Sequence, residues 1–221
     1  MKNRPRQFDL IAFDWDGTLF DSTALITRCI QNAAEDLGYD RPSDRAASYV
    51  IGLQLAAGLA HAVPQLPPER YAEMGARYRH HYLASQHEVV LFEGTREMLQ
   101  SLKDRHHWLT VATGKPRRGL NAALEQAELT AMFDGSRCAD ETAGKPHPQM
   151  LLELMREFGA EPERTLMIGD TTHDLQMAVN AGVPSVGVSY GAHDHESFDE
   201  FKPLHIAHSM ADLQHWLLEH A

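Results

Sequence analysis

The fold is decided by the stretch Phe8-Asp-Leu-Ile-Ala-Phe-Asp-Trp-Asp-Gly-Thr18, in which a short apolar run is followed at once by acids and a glycine. A continuous apolar run of this length is typical of a buried strand in a parallel sheet. In open α/β sheets, ligands bind beyond the carboxyl ends of the strands. The acids that follow Phe13 are therefore expected at such an edge.

Similar apolar runs recur along the chain and predict further strands. They lie at residues 108–112, 165–168 and 185–188, with a short last run at 206–207. Helical patterns lie between them, at residues 116–127, 147–158 and 175–181. Strand–helix alternation of this kind indicates right-handed βαβ units. The sequence therefore predicts an α/β fold with a doubly wound parallel sheet.

One long segment interrupts this alternation. Between residues 22 and 88 the apolar spacing predicts helices, at 23–37, 52–62 and 68–83, but no convincing strand. We therefore predict an all-helical cap domain at residues 21–89. It is expected to be inserted into an α/β core formed by residues 1–20 and 90–221.

Composition and charge narrow the range of partners. The 221 residues carry a formal net charge of −11, which argues against a nucleic-acid partner because phosphate backbones attract basic surfaces. No run approaches the ~20 apolar residues of a membrane helix, and the apolar run near the N-terminus is too short for a signal peptide. The two cysteines, Cys29 and Cys138, form no CxxC pair. We expect a cytoplasmic monomer or homodimer without a membrane partner.

The two acids of Asp14-Trp-Asp-Gly-Thr18 are separated by one residue, so both can face one site as the chain turns away from the sheet. Gly17 permits the turn, and the Thr18 hydroxyl can bond local backbone groups. Crowded carboxylates are costly unless a cation lies among them, and oxygen ligands of this kind suit Mg²⁺. The alternative is a solvated turn without chemistry.

A second acidic loop, Gly169-Asp-Thr-Thr-His-Asp174, follows the predicted strand at residues 165–168. The opening turn of a helix could place Asp170 and Asp174 on one face, since they are four residues apart. The alternative is an ordinary helix start with acids in its first turn, where the helix dipole favours them. Two acidic loops at two strand ends favour a shared metal site.

Three further residues have the chemistry of a phosphate site. Thr113 and Gly114 follow the predicted strand at residues 108–112, and a hydroxyl with a backbone N–H can hold phosphoryl oxygens. Lys145, between Gly144 and Pro146, can neutralise a phosphoryl group and the carboxylates beside it. Taken singly, an ordinary turn and a surface lysine are the alternatives.

Together these motifs resemble the haloacid dehalogenase superfamily, in its branch of phosphatases with a helical cap (C1 type) inserted after the first strand. The matching motifs occur in the family's order and span most of the chain: Asp14-Trp-Asp-Gly-Thr-Leu19, Thr113, Lys145, and Gly169-Asp170 with Asp174. Tyr190-Gly191 is similar to the phosphoglycolate phosphatase branch. Trp15 departs from the aliphatic residue common between the two aspartates, and we expect it to pack beside the site.

The resemblance implies a Mg²⁺-dependent phosphatase that acts on small phosphorylated metabolites. Asp14 would be the nucleophile that forms a phosphoaspartate, and Asp16 would serve as the acid and then the base. Asp14, Asp170 and the backbone carbonyl of Asp16 would hold the metal. The dehalogenases lack an acid at the position of Asp16, because a halide needs no proton when it leaves. An acid there favours a phosphate ester.

The resemblance also assigns the residues around the transferred group. Thr113, Gly114 and Lys145 would bind the phosphoryl oxygens. Asp174 would orient Lys145 or a water molecule without itself contacting the phosphoryl group. These roles follow the family's motifs, residue by residue.

The leaving group would be selected by the cap, which closes over the substrate and excludes water. Related caps carry a glycine near the substrate, so Gly52 and Gln54 are predicted to determine specificity; a plain turn between helices is the alternative. A phosphoglycolate phosphatase fits best. A phosphomutase or pyrophosphatase of the same superfamily would keep the same core residues. A phospho-acceptor regulatory domain would cluster similar residues around Mg²⁺ in a different order.

Overall fold

The computed structural model describes residues 7–221, so the predicted start of the core at residue 1 lies outside the described residues. Within that range six strands form one parallel sheet in the order β3-β2-β1-β4-β5-β6. The strands are β1 (Leu10–Phe13), β2 (Trp108–Thr113), β3 (Gly135–Cys138), β4 (Thr165–Gly169), β5 (Ser185–Val188) and β6 (His205–Ala207). The α-helices are α1 (Thr23–Asp36), α2 (Asp44–Tyr49), α3 (Leu55–Ala62), α4 (Tyr71–Ser85), α5 (Thr95–Asp104), α6 (Arg117–Gln126), α7 (Gln149–Phe158), α8 (Thr172–Ala181) and α9 (Met210–His220).

The centre of the sheet is β1, whose four residues are all buried. It pairs on one side with β2 and on the other with β4, so that Phe13 lies opposite both Val111 and Ile168. The three strands run in the same direction. Their carboxyl-terminal loops therefore leave the sheet side by side, which brings the motifs that follow β1, β2 and β4 to one edge.

Alternate residues of β1 face opposite layers of helices, as the pleat requires. Ile11 and Phe13 belong to a buried cluster that includes residues of α5, α6 and α9. Leu10 and Ala12 belong to a second cluster, with residues of α7 and α8. Helices thus cover both faces of the parallel sheet, and the predicted doubly wound α/β class is confirmed.

Helices α1–α4, which we call the cap, lie between β1 and β2 and share their own buried cluster. The two segments that join them to the sheet run beside each other: Phe20 forms an isolated bridge with Leu91, and the Asp21 amide donates to the Val90 carbonyl at 2.9 Å. All the α-helices described within residues 21–89 belong to the cap, and no strand is described there. The boundaries at residues 20/21 and 89/90 stay a prediction.

Several predicted elements are corrected by the structure. The edge strand β3 was not predicted, because Gly135-Ser-Arg-Cys138 contains no apolar run, and only its last residue is buried. Helices α2, α5 and α9 were not predicted either. The predicted helix at 52–62 begins only at Leu55, since Gly52 has a φ of +88° and Gln54 is extended.

The other boundaries shift by a few residues. The first strand begins at Leu10 rather than Phe8, and α7 begins at Gln149 rather than at residue 147. The predicted helix at 68–83 is a 3₁₀ turn, Pro68–Arg70, followed by α4. None of the helices formed by residues 7–221 has both the length and the apolar character of a membrane span.

Candidate active site

Asp14 is the first residue beyond β1, and it lies in the interior of the protein. Its backbone N–H donates to the Ile168 carbonyl at 2.8 Å, which ties the start of the loop to β4. Its side chain is 1% exposed and accepts a 2.6 Å hydrogen bond at Oδ1 from Lys145 Nζ. Oδ2 is buried and has no hydrogen-bond partner within residues 7–221. One carboxylate oxygen is thus held while the other remains available.

Burial shapes the protonation of this pair. Burial raises the pKa of Asp14 to about 7, although the ammonium of Lys145 opposes the rise. Burial alone would lower the pKa of Lys145, but the carboxylates of Asp14 and Asp174 raise it above its ordinary value. Lys145 therefore stays charged. A further cation near Asp14 would favour the ionised carboxylate that a nucleophile needs.

Asp170 follows β4 and is held on both oxygens. Its Oδ1 accepts from the Thr18 hydroxyl at 2.9 Å, and its Oδ2 accepts from the Ala192 amide at 2.7 Å. Two glycines make room for it, because a Cβ on Gly17 or Gly191 would lie 2.1 or 2.2 Å from Asp170 Oδ2. The predicted role of Gly17 in the turn fits its φ of +81°, whereas the need for Gly191 comes only from the packing.

Asp174 is both an acid in the first turn of a helix and a member of the carboxylate site, the two roles that the sequence offered as alternatives. It is the third residue of α8 and forms a capping box with Thr171, so it is an acid in the first turn of a helix. Its Oδ1 also lies 2.6 Å from Lys145 Nζ. A Cβ on Gly169 would meet Asp174 at 2.3 Å, which explains the glycine before Asp170. Asp174 therefore forms a second ion pair with Lys145, in addition to that with Asp14.

Three buried carboxylates could hold a metal ion. Asp14, Asp170 and Asp174 each offer an oxygen, and these atoms lie within 4.8 Å of one another. Burial raises the pKa of Asp170 well above its ordinary value, and the neighbouring carboxylates raise it further. The donor set consists of hard oxygens, and Asp14 Oδ2 lacks a partner among the described residues. These features fit Mg²⁺.

Asp16 lies apart from this carboxylate cluster and is held by two other groups. Ser22 donates to its Oδ1 at 2.7 Å, and Lys115 Nζ lies 3.0 Å from its Oδ2. The sequence analysis gave no role to Ser22 or to Lys115. Both contacts depend on how the chain returns to the site, so local pattern could not predict them. The carboxylate of Asp16 is thus fixed in direction.

The predicted phosphate-binding residues lie at the same edge of the sheet. Thr113 ends β2 and is buried, and its Oγ1 accepts from the Lys115 amide at 3.2 Å. A Cβ on Gly114 would lie 2.5 Å from the carbonyl oxygen of Gly52. The backbone of the cap thus lies directly against the loop after β2.

The predicted specificity residues belong to this cap loop. A Cβ on Gly144, the residue before Lys145, would lie 3.3 Å from Gln54 Cβ. The Gln54 side chain donates to the Ala139 carbonyl at 3.3 Å. Gly52 and Gln54 therefore cover the site, while their role in selecting a substrate stays a prediction.

Trp15 packs beside the site, as predicted. It is fully buried, stacks on Phe20 with ring centroids 5.1 Å apart, and meets the edge of Phe133 at 6.1 Å. The bulky ring therefore fills space between the first acidic loop and the start of the cap.

Two histidines that the sequence analysis did not single out hold the cap against the core. His173 and His193 each bring Nε2 to the Tyr49 carbonyl, at 2.8 and 2.9 Å. The Thr172 amide donates to His193 Nδ1 at 3.0 Å, so Nδ1 is the acceptor and Nε2 carries the proton given to Tyr49. Burial lowers the pKa of His193 to about 4 and also lowers the pKa of His173. Both rings are therefore neutral at physiological pH.

A family model agrees with the motifs that form this site. The model is described as haloacid dehalogenase-like hydrolase, and it matches residues 11–188.

Three curated relatives align over most of their length. A protein of Dickeya dadantii named Probable phosphatase IndB is 36% identical over 210 residues, covering 92% of this chain and 91% of the relative. Phosphoglycolate phosphatase of Aliivibrio fischeri is 33% identical over 203 residues, covering 88% and 89%. Pyrophosphatase PpaX of Halalkalibacterium halodurans is 31% identical over 209 residues, covering 94% and 95%.

The fold is shared with solved structures. A hydrolase from Pseudomonas syringae superposes with a TM-score of 0.87 at 22% sequence identity, covering 95% of this chain and 98% of that chain. At this level of identity the likeness concerns the fold alone.

Proposed function

This chain belongs to the haloacid dehalogenase-like hydrolase family and is a phosphatase of that family; on that premise, we propose that it hydrolyses small phosphate monoesters through a phosphoaspartate on Asp14. The family match confirms the resemblance stated from the motifs. It also favours hydrolysis over the alternative of a phospho-acceptor regulatory domain.

One observation carries the proposal more than any other. Asp14 is buried with Oδ1 bonded to Lys145 and with Oδ2 unpartnered among the described residues. A carboxylate kept out of water with one oxygen fixed and the other available suits a positioned nucleophile. Its raised pKa is the consequence of that burial.

In the first step, a carboxylate oxygen of Asp14 attacks phosphorus and the bond from phosphorus to the leaving oxygen breaks. Asp16 gives its proton to that oxygen, so an alcohol departs. Lys145 and the backbone N–H of Gly114 bind phosphoryl oxygens, with the Thr113 hydroxyl beside them. Positioned charge accounts for most of the catalysis, since attack by an anion on an anionic phosphate is otherwise opposed.

In the second step, Asp16 takes a proton from a water molecule whose oxygen attacks the same phosphorus. The bond between phosphorus and Asp14 breaks, and inorganic phosphate is released with the Asp14 carboxylate restored. The contacts with Ser22 and Lys115 hold Asp16 in one direction for both transfers. One residue can thus act as acid and then as base.

The metal is assigned to the same group of residues. Asp14, Asp170 and the backbone carbonyl of Asp16 would hold Mg²⁺, which when bound offsets the negative charge that nucleophile and phosphoryl group bring together. Asp174 also lies in the carboxylate cluster, but it is paired with Lys145 and held in its capping box. We therefore assign Asp174 to orienting Lys145, and Thr18 to holding Asp170.

The favoured substrate is a small ester such as phosphoglycolate. The cap loop with Gly52 and Gln54 covers the site at backbone contact, which leaves little room above Gly114. One relative is a phosphoglycolate phosphatase and another a pyrophosphatase. Pyrophosphate hydrolysis is therefore the second candidate, and it would use the same nucleophile.

The test is phosphate release from phosphoglycolate, pyrophosphate and sugar phosphates, with Mg²⁺ and with EDTA. We expect turnover of at least one small substrate, lost in EDTA. Asp14→Asn should lower turnover by at least about 10³-fold while its circular dichroism is unchanged. Asp36→Asn, a surface change at the pair with His81, is the matched control. Wild-type turnover in undeamidated Asp14→Asn would refute the nucleophile.

A further inference from the structure

Lys115 is a buried cation that the proposed reaction leaves without a substrate role. It follows Gly114 at the carboxyl end of β2, and its side chain is only 11% exposed. Nζ lies 3.0 Å from Asp16 Oδ2 and donates to the Tyr82 hydroxyl, in α4 of the cap, at 3.2 Å. It also lies 4.8 Å from the centroid of the Tyr82 ring. Lys115 therefore joins the proposed acid to the cap.

The charge of Lys115 is secure. Burial alone would lower its pKa, but the carboxylate of Asp16 and the neighbouring tyrosines Tyr82 and Tyr78 raise the pKa above its ordinary value. An ammonium has three donors, and Asp16 with Tyr82 accounts for two of them. The ion pair with Asp16 and the hydrogen bond to Tyr82 offset the cost of burying this charge, and the third donor is left for a ligand.

Geometry places this donor beside the leaving group. Asp16 must lie within hydrogen-bond distance of the leaving oxygen to protonate it. Because Nζ is 3.0 Å from Asp16 Oδ2, it lies within about 6 Å of a leaving oxygen that is hydrogen-bonded to Oδ2. A charged group one or two bonds beyond the leaving oxygen would therefore reach the ammonium. Lys145, which pairs with Asp14 and Asp174, is already assigned to the phosphoryl oxygens.

We propose that Lys115, held by Tyr82 of the cap, is a specificity-determining residue that binds an anionic group on the departing part of the substrate. The inference rests on the proposed function, since it takes Asp16 as the acid. The bound anion is a carboxylate or a phosphate, and both meet the ammonium as charge-assisted acceptors. An uncharged alcohol or nucleoside gains nothing from Lys115. Because Tyr82 belongs to the cap, the subsite is complete only when cap and core are together.

The test compares matched substrates that differ in the leaving group: phosphoglycolate with a carboxylate, pyrophosphate with a phosphate, and 2-hydroxyethyl phosphate with no charge. Wild-type kcat/KM should favour at least one anionic substrate over the neutral one by about tenfold or more. Lys115→Met should reduce that ratio about tenfold, chiefly through KM of the anionic substrate. Whichever anion shows the larger ratio in wild type identifies the group that Lys115 receives.

Three variants serve as comparisons. Lys115→Arg keeps the charge and should keep the ratio within about threefold. Tyr82→Phe should lower the ratio less than Lys115→Met, because the ring stays while the hydroxyl is lost. Lys103→Met removes an ion pair with Asp134 elsewhere in the core and should leave the ratio unchanged. A Lys115→Met variant that slows charged and neutral substrates equally would overturn the proposal, because Lys115 would then only position Asp16.

Binding separates failure of this inference from failure of the proposed function. With EDTA present, calorimetry should show phosphoglycolate or pyrophosphate binding about tenfold more weakly to Lys115→Met than to Lys103→Met. If the wild-type enzyme released no phosphate from any substrate yet this difference were found, the hydrolytic mechanism would fail and the subsite would stand. Equal binding to the two variants would overturn the subsite.

Discussion

At the scale of single residues, a substitution at Gly191 tests whether the position of the Asp170 carboxylate matters for activity. A Cβ there would lie 2.2 Å from both Cβ and Oδ2 of Asp170, so Gly191→Ala must displace the carboxylate. Displacement of a catalytic group by about 1 Å can cost about 10²-fold in rate, and we expect a loss of at least that size in kcat. Steady-state phosphate release is the measurement.

The matched control for this change is Gly119→Ala. Gly119 lies in α6, and a Cβ there would meet only Pro116, at an ordinary 3.5 Å. This variant should keep wild-type activity and gain slightly in stability, since alanine favours helix. Full activity in Gly191→Ala would show that Asp170 can move without loss, contrary to its assignment as a ligand.

Ser22 is a second residue-scale test, directed at Asp16. Ser22→Ala removes the 2.7 Å hydrogen bond to Asp16 Oδ1 and no capping bond, because the Ser22 side chain does not cap α1. A hydrogen bond to a charged group is worth about 1.5–3 kcal/mol, so kcat should fall by about tenfold or more with little change in KM. Ser101→Ala, which removes a hydroxyl bonded to a carbonyl within α5, should not change kcat. A KM effect alone would contradict the positioning of Asp16.

The residues that sequence could predict are those that local pattern places at a strand end. Asp14, Asp16 and Asp170 directly follow or nearly follow apolar strands, so parallel topology alone brings them to one edge. Lys115 could not be assigned in this way, because its partners are Asp16 and Tyr82 and neither contact follows from spacing. Such contacts require the packing of the cap to be known.

At the scale of elements, the joint between α2 and the segment that follows β5 should respond to pH. His193 donates to the Tyr49 carbonyl as a neutral ring, and burial lowers its pKa to about 4. The unfolded chain binds the proton near pH 6.5, so this histidine's contribution to stability is present above that pH and is lost as pH falls from 6.5 towards 4. Within the window the loss is up to about 1.4 kcal/mol per pH unit.

His193→Phe isolates this contribution. The ring can still stack on Tyr49, which lies 5.1 Å from the histidine centroid, but it cannot titrate. Urea unfolding in EDTA between pH 6.5 and 5 should show a shallower decline of stability for His193→Phe than for wild type. His215→Phe, at a largely exposed position, is the control and should keep the wild-type slope. Identical slopes in all three proteins would contradict the assignment.

The elements that sequence could predict were those with a strong apolar signal. The strands β1, β2, β4 and β5 are buried on nearly every residue and appear as apolar runs. In the edge strand β3 only Cys138 is fully buried, so its side chains give no apolar signal. The segment is a strand because its backbone pairs with β2. Edge position, rather than weak pairing, is the reason that it was missed.

At the scale of the whole molecule, the arrangement of cap and core is what the sequence predicted least. The insertion itself is indicated by helical spacing without strands. The closeness of Gly52 to Gly114, however, depends on how the cap packs against the core. Both contacting groups are backbone, so hydropathy gives no indication of them. The same packing of the cap against the core brings Tyr82 to Lys115 and Tyr49 to His193.

Metal binding is coupled to the protonation of the buried carboxylates in the site. Without a cation, burial holds the pKa of Asp14 at about 7 and raises that of Asp170, so the folded protein binds protons that the unfolded chain has released. Metal-free stability should therefore fall as pH rises from about 4 to 7 on account of these groups. Mg²⁺ takes the place of the protons, so its binding should release protons and tighten as pH rises.

Thermal unfolding with and without Mg²⁺ at several pH values measures this linkage. The rise in Tm caused by saturating Mg²⁺ should grow from pH 6 to about 8, since the carboxyl group of Asp14, with a pKa of about 7, loses its proton in the metal-free protein over that range. Asp170→Asn should abolish most of the rise, whereas Asp212→Asn, near the far edge of the sheet beside His205, should keep it. A Mg²⁺-induced shift that is the same at every pH would show that the metal does not replace these protons, and would remove the reason for placing it among the buried carboxylates.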